Sequence, residues 1–174
     1  MQFIVGGLVG NPRAESKTLT ATRALVELLA EAVGSPSADV VDLATFGGRV
    51  LDYSDEGVTA VRTALTSAHL LVVATPVYKG SYTGLLKAFL DGYGPGALSA
   101  TYTVPFTVAA SPQHSLAGGT HLQPLLDELG ATSPLGGLFL PDAVVSDPAE
   151  RDARLAEWVD RRARLLAAIA GVAA

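Results

Sequence analysis

His69-Leu70-Leu71-Val72-Val73-Ala74-Thr75-Pro76 is the stretch on which the fold turns. After its first residue the run is continuously apolar, as a strand buried on both faces must be, and Pro76 ends it. A loop from Val77 to Ser81 follows. Leu85, Leu86, Phe89 and Leu90 then recur at helical spacing until the Gly92-Tyr93-Gly94-Pro95-Gly96 cluster stops them. A doubly buried strand leading into an amphipathic helix is the unit from which helix-covered parallel sheets are built.

Working outward, the same unit recurs on both sides. Phe3 to Val9 reads as a first strand, followed by a polar loop from Gly10 to Lys17 and a helix with Leu25, Leu28, Leu29 and Ala32 on its apolar stripe; Gly34 and Pro36 stop it. Val40 to Leu43 reads as a second strand, Phe46 to Ser54 as an irregular connection, and Asp55 to Ser67 as a helix. Toward the C-terminus, Tyr102 to Ala110 supplies a fourth strand and Leu122, Leu125, Leu126 and Leu129 mark a helix. Leu135 to Leu140 is a fifth strand, and Leu155, Trp158, Val159, Arg162, Leu166 and Ile169 form a last helical stripe. The expectation is one α/β domain spanning residues 1–174, with ligand chemistry at the carboxyl ends of the strands, where the loops after strands one, three and four converge.

Composition narrows the chemistry. A net charge of −5 and the lack of any Lys/Arg run argue against a nucleic-acid surface. With no cysteine, the chain has no disulfide, thiolate nucleophile, iron–sulfur cluster or zinc–thiolate site, so redox chemistry would belong to a bound organic cofactor. Met1-Gln2-Phe3 enters an apolar run with no basic flank or cleavage site, and no apolar stretch is long enough to span a bilayer; we expect a soluble, cytoplasmic protein with no membrane partner.

The loop after strand one, Gly10-Asn11-Pro12-Arg13-Ala14-Glu15-Ser16-Lys17-Thr18, leads straight into a helix. The Ser16 and Thr18 hydroxyls, the Asn11 amide, the Arg13 guanidinium and the free N–H groups of the helix start all suit a phosphate, which the helix end also attracts. The same residues equally describe an ordinary N-cap at Ser16 or Thr18 with Arg13 and Lys17 solvated. G-x-G-x-x-G and G-K-[ST] are both missing, so a monophosphate fits better than a dinucleotide or a triphosphate. In the loop after strand three, Gly80 marks a turn whose backbone can approach the edge of a flat ring, with Tyr78 as an aromatic wall; alternatively Tyr78 and Tyr82 are half-buried aromatics beside a plain turn.

The run from Ala74-Thr75-Pro76-Val77-Tyr78-Lys79-Gly80 through Ser81-Tyr82-Thr83-Gly84-Leu85-Leu86-Lys87 resembles the flavin-binding segment of the NADPH-dependent FMN reductase family, in particular the reductases serving alkanesulfonate monooxygenases. Gly10-Asn11-Pro12-Arg13 is similar to the family's G-S-P-R turn, with Asn11 in place of Ser, and Ala109 to Leu126 resembles its fourth-strand loop and helix. The resemblance implies a flavodoxin-like three-layer sandwich with a five-stranded parallel sheet of order 2-1-3-4-5 and helices on both faces. It implies FMN and NADPH or NADH as cofactors. Asn11, Arg13, Ser16, Lys17 and Thr18 would lie at the phosphate. Pro76, Val77, Tyr78, Lys79, Gly80 and Ser81 would lie along the ring, and Ser111 and Pro112 at its far edge. Many relatives carry Gly-Gly after strand four, where this chain has Ala110-Ser111-Pro112. Alkanesulfonate-type relatives also insert an aromatic residue or His that disturbs the following helix, and Thr120-His121 is the nearest counterpart.

What the resemblance implies is hydride transfer from NAD(P)H to FMN, with the reduced flavin passing to a monooxygenase or the electrons to a quinone-type acceptor. No catalytic side chain or metal is required, because the cofactors carry the chemistry. His114 then reads as a loop residue, His121 as a helix-surface residue, and Asp52, Asp55 and Glu56 as a solvated loop and helix start. A flavodoxin-like FMN-binding electron carrier without NAD(P)H oxidation is the alternative. By the same resemblance a homodimer or homotetramer is expected, with the Tyr82 to Tyr93 surface as its contact.

Overall fold

The computed structural model describes residues 3–171. Met1 and Gln2, on which the reading of the leader rests in part, lie outside the described residues. Five parallel strands, β1 (Val5–Val9), β2 (Ser37–Asp42), β3 (Leu70–Pro76), β4 (Tyr102–Ala109) and β5 (Leu138–Pro141), form one sheet in the order β2-β1-β3-β4-β5. The flavodoxin-like order expected from the resemblance is therefore present.

The period of two along β3 shows how the layers assemble. Leu70, Val72 and Ala74 join a core with α1 (Lys17–Ala32), α5 (Asp142–Ser146), α6 (Pro148–Asp160) and α7 (Ala163–Ile169). Leu71 and Val73 join a second core with α2 (Glu56–Leu65), α3 (Gly84–Leu90) and α4 (Gln123–Glu128). Each fully buried Leu, Val or Phe contributes about 1.5–3 kcal/mol by leaving water, so the central strand is anchored from both sides. No described helix is long and apolar enough to cross a membrane.

Element boundaries move where local chemistry competes with the apolar pattern. β2 stops at Asp42, not Leu43, because the Asp42 carboxylate accepts the Ala44 N–H (3.1 Å) and opens a 3-10 turn over Leu43–Thr45. β5 starts at Leu138, not Leu135, because Gly136 sits at φ +73° and its N–H closes a turn on the Ser133 carbonyl. The final stripe is two helices, α6 and α7. Arg162 stands at the break, its guanidinium 4.0 Å from the Trp158 ring centroid and donating to the Leu135 and Trp158 carbonyls. After β4 the chain makes a 3-10 turn at Pro112–His114 and a π-helical turn at Gly118–Leu122 before α4. Thr120 and His121, the expected point of disturbance, lie inside that π turn.

Candidate active site

The carboxyl ends of β1, β3 and β4 frame a cleft of about 480 Å³. Its lining comes from the loop after β1 (Asn11 and Arg13 to Thr18), from Pro76, Val77 and Tyr78, from Val108, Ala109 and Ala110, and from Asp142 at the start of α5. The first three of these segments overlap the stretches that carry the family resemblance, and the fold brings them to one opening.

The first loop is shaped from within. Asn11 is buried; its Oδ1 accepts the Arg13 N–H (3.0 Å) and its Nδ2 donates one of its two hydrogens to Thr18 Oγ1 (3.3 Å), so this side chain holds the turn closed. Ser16 is the N-cap of α1, its Oγ accepting the Leu19 N–H at 3.2 Å. The cap leaves the amides of Lys17 and Thr18, which precede the intrahelical bonds, for a ligand at the positive end of a 16-residue helix. Capping and anion binding are thus compatible roles for one loop. Glu15 has φ +51°, a left-handed conformation that side chains with a Cβ rarely adopt.

Across the opening, Tyr78 to Ser81 is a tight two-residue hairpin turn. The Tyr78 N–H donates to the Ser81 carbonyl (2.8 Å) and the Ser81 N–H to the Tyr78 carbonyl (3.2 Å), with Lys79 at φ +53° and Gly80 at φ +86°. Positive φ at both central residues defines a type I′ turn. Tyr78, 43% exposed, presents its ring at the mouth.

Thr83, which the sequence reading passes over, ties these loops together. It is buried, caps α3 by accepting the Leu86 N–H (3.1 Å), donates its hydroxyl to the Gly10 carbonyl, and sends its own N–H to Thr75 Oγ1 (3.2 Å). A side chain at Gly10 would place its Cβ 2.4 Å from that of Leu86, so glycine there lets the phosphate loop sit against α3.

Of the residues singled out from sequence, Asn11, Arg13, Ser16, Lys17, Thr18, Pro76, Val77 and Tyr78 line the cleft. Lys79, Gly80 and Ser81 form the adjoining turn without lining it. Ser111 and Pro112 also stand outside the lining: Ser111 Oγ accepts the Gln113 N–H (3.3 Å) and caps the 3-10 turn, leaving Ala109 and Ala110 at the cleft wall. Small residues at the end of β4 were the signal for that wall. Lys17 donates to Asp142 Oδ2 at 3.0 Å, a partner 125 positions away.

The amide-and-hydroxyl cradle, the flanking Arg13 and the neighbouring turn fit a flavin monophosphate, with the phosphate end at α1 and the ring end at Tyr78. Comparison with known proteins identifies the family. The profile of the NADPH-dependent FMN reductase family matches residues 4–144. The chain is 31% identical to an FMN reductase (NADPH) of Pseudomonas aeruginosa, covering 88% of each protein. It is 33% identical to the NADH-dependent FMN reductase SfnE of Pseudomonas putida, covering 87% of this chain and 84% of that one. The solved apo form of an NADH:FMN oxidoreductase (EMOB) superimposes with a TM-score of 0.82 at 25% identity, covering 94% of this chain and 90% of that chain. The chain belongs to the NADPH-dependent FMN reductase family.

Proposed function

We propose that this protein is an NAD(P)H-dependent FMN reductase, transferring hydride from a nicotinamide to FMN held in the cleft between the loop after β1 and the turn after β3. The observation that carries the reading is the meeting of an anion-binding helix start and an aromatic-walled turn at one opening. Bound flavin supplies the hydride-accepting chemistry, so the chain's own residues bind, orient and exclude. Arg13, Ser16, Thr18 and the amides of Lys17 and Thr18 hold the phosphate. Asn11 keeps that loop in register. Pro76, Val77 and Tyr78 lie against the ring, with the Lys79-Gly80-Ser81 turn offering the Lys79 and Gly80 backbone groups at its edge, while Ala109 and Ala110 leave the opposite wall flat.

The reading extends to a cytoplasmic protein that works as a homodimer or homotetramer through the Tyr82–Tyr93 surface and passes reduced flavin to a monooxygenase. The π turn at Gly118–Leu122 supports that monooxygenase-linked branch, since it contains Thr120-His121, the nearest counterpart of the residue that such relatives insert. The test is a steady-state assay with NADPH and NADH, each with and without added FMN or FAD. FMN-dependent oxidation of at least one nicotinamide is expected. Binding of FMN with no oxidation of either would identify an electron carrier instead, and failure to bind FMN would reject both.

A further inference from the structure

The phosphate end of the cleft contains a feature that a tight anion site would lack. Besides Arg13 and Lys17 it is lined by two carboxylates, Glu15 and Asp142, so the formal charges of the lining cancel. Asp142 also engages Lys17, the first residue of α1, at 3.0 Å, with both side chains about half exposed. An ammonium paired in this way is drawn away from an incoming phosphate, and the carboxylate that draws it repels the same phosphate. What remains to attract a dianion is Arg13 and the partial charge of the helix end, roughly half a unit.

Resting on the FMN reading above, we propose that Asp142 is an affinity-setting residue. By holding Lys17 and adding negative charge beside the phosphate position, it keeps FMN bound loosely enough to leave and re-enter the cleft. The effect acts on the phosphate and spares the ring, which contacts the opposite end of the cleft. It also weakens with salt, since the pair is solvent-exposed. A unit charge about 10 Å from a dianion through water changes affinity about fourfold, and release of Lys17 adds to this.

Flavin-free full-length protein titrated with FMN, and separately with riboflavin, following flavin fluorescence, tests the assignment. D142N is expected to tighten FMN about fivefold at low ionic strength while leaving riboflavin unchanged, and to lose most of that gain in roughly 0.5 M salt, where charges are screened within a few ångströms. Lys17→Met, which keeps the aliphatic stem, is expected to weaken FMN and spare riboflavin. Unchanged or weaker FMN binding in D142N, or equal tightening of FMN and riboflavin, would overturn the role of Asp142 and leave the reductase reading standing. A wild-type protein that binds neither flavin would instead remove the reading on which the role rests.

Discussion

Thr83 concentrates more of the site's organisation than any residue that lines the cleft. Its hydroxyl closes the gap between the Gly10 carbonyl and the start of α3, and its amide reaches Thr75 at the end of β3. Thr83→Val keeps the shape but strands the Gly10 carbonyl and the Leu86 amide in a buried setting, where each unpaired group costs about 1–3 kcal/mol. We expect a lower urea midpoint and weaker FMN binding, with riboflavin affected too because both loops shift; a midpoint equal to wild type would contradict this. The residue is hard to single out in sequence because its acceptor lies 73 positions away. The Lys17–Asp142 pair is hidden for the same reason. By contrast, the Ser16 cap is a local bond to Leu19, three residues on, and could be read from spacing, whereas the Asn11 bonds that shape the loop could not, since the sequence offers its amide only as a phosphate donor.

At the level of elements, α2 and the 3-10 segment before it are locked by Asp55. The carboxylate caps α2 through the Val58 N–H (2.9 Å) and accepts two bonds from the Arg49 guanidinium (2.7 and 2.9 Å). The Arg49 bond, followed by the Val58 amide, holds the Asp55 carboxyl below its ordinary value of 3.8. A folded-state value lowered in this way stabilises the protein at neutral pH, and the contribution disappears as pH falls below 3.8 through the folded value. Wild type should therefore lose stability over that acid range more steeply than Asp55→Asn, as measured by urea midpoints at successive pH values; parallel curves would rule the coupling out. Buried Arg62 complements this lock from α2, donating to the Phe89 carbonyl at the end of α3 (2.9 Å) and to the Val50 carbonyl (3.3 Å). Asp52, Asp55 and Glu56 form the loop and helix start that they read as in sequence, Asp52 and Glu56 exposed, and Asp55 in addition makes that start a structured joint. Its order comes from side chains whose partners no periodicity reveals.

For the whole molecule, the two cores on either side of β3 make the sheet the common support of every loop at the cleft. Phe106, fully buried on β4 between Ala74 of β3 and Leu138 of β5, belongs to the core beneath α1 and α6. Phe106→Ala should cost about 3–5 kcal/mol in urea or thermal unfolding; a loss below about 1 kcal/mol would mean that this core is not packed as described. The strands themselves were legible because doubly buried ones such as Leu70–Pro76 leave continuous apolar runs between helical stripes, whereas their order followed from the family resemblance. The C-terminal break was not, since Arg162 falls in phase with Trp158, Val159 and Leu166 while its guanidinium caps carbonyls.

Glu15 and Lys79 hold left-handed backbone at the two rims of the cleft, where glycine or asparagine would rest more comfortably. Selection for heat resistance would therefore gravitate to these rims, and hardening gained there would come from the same few residues that shape the mouth of the cleft.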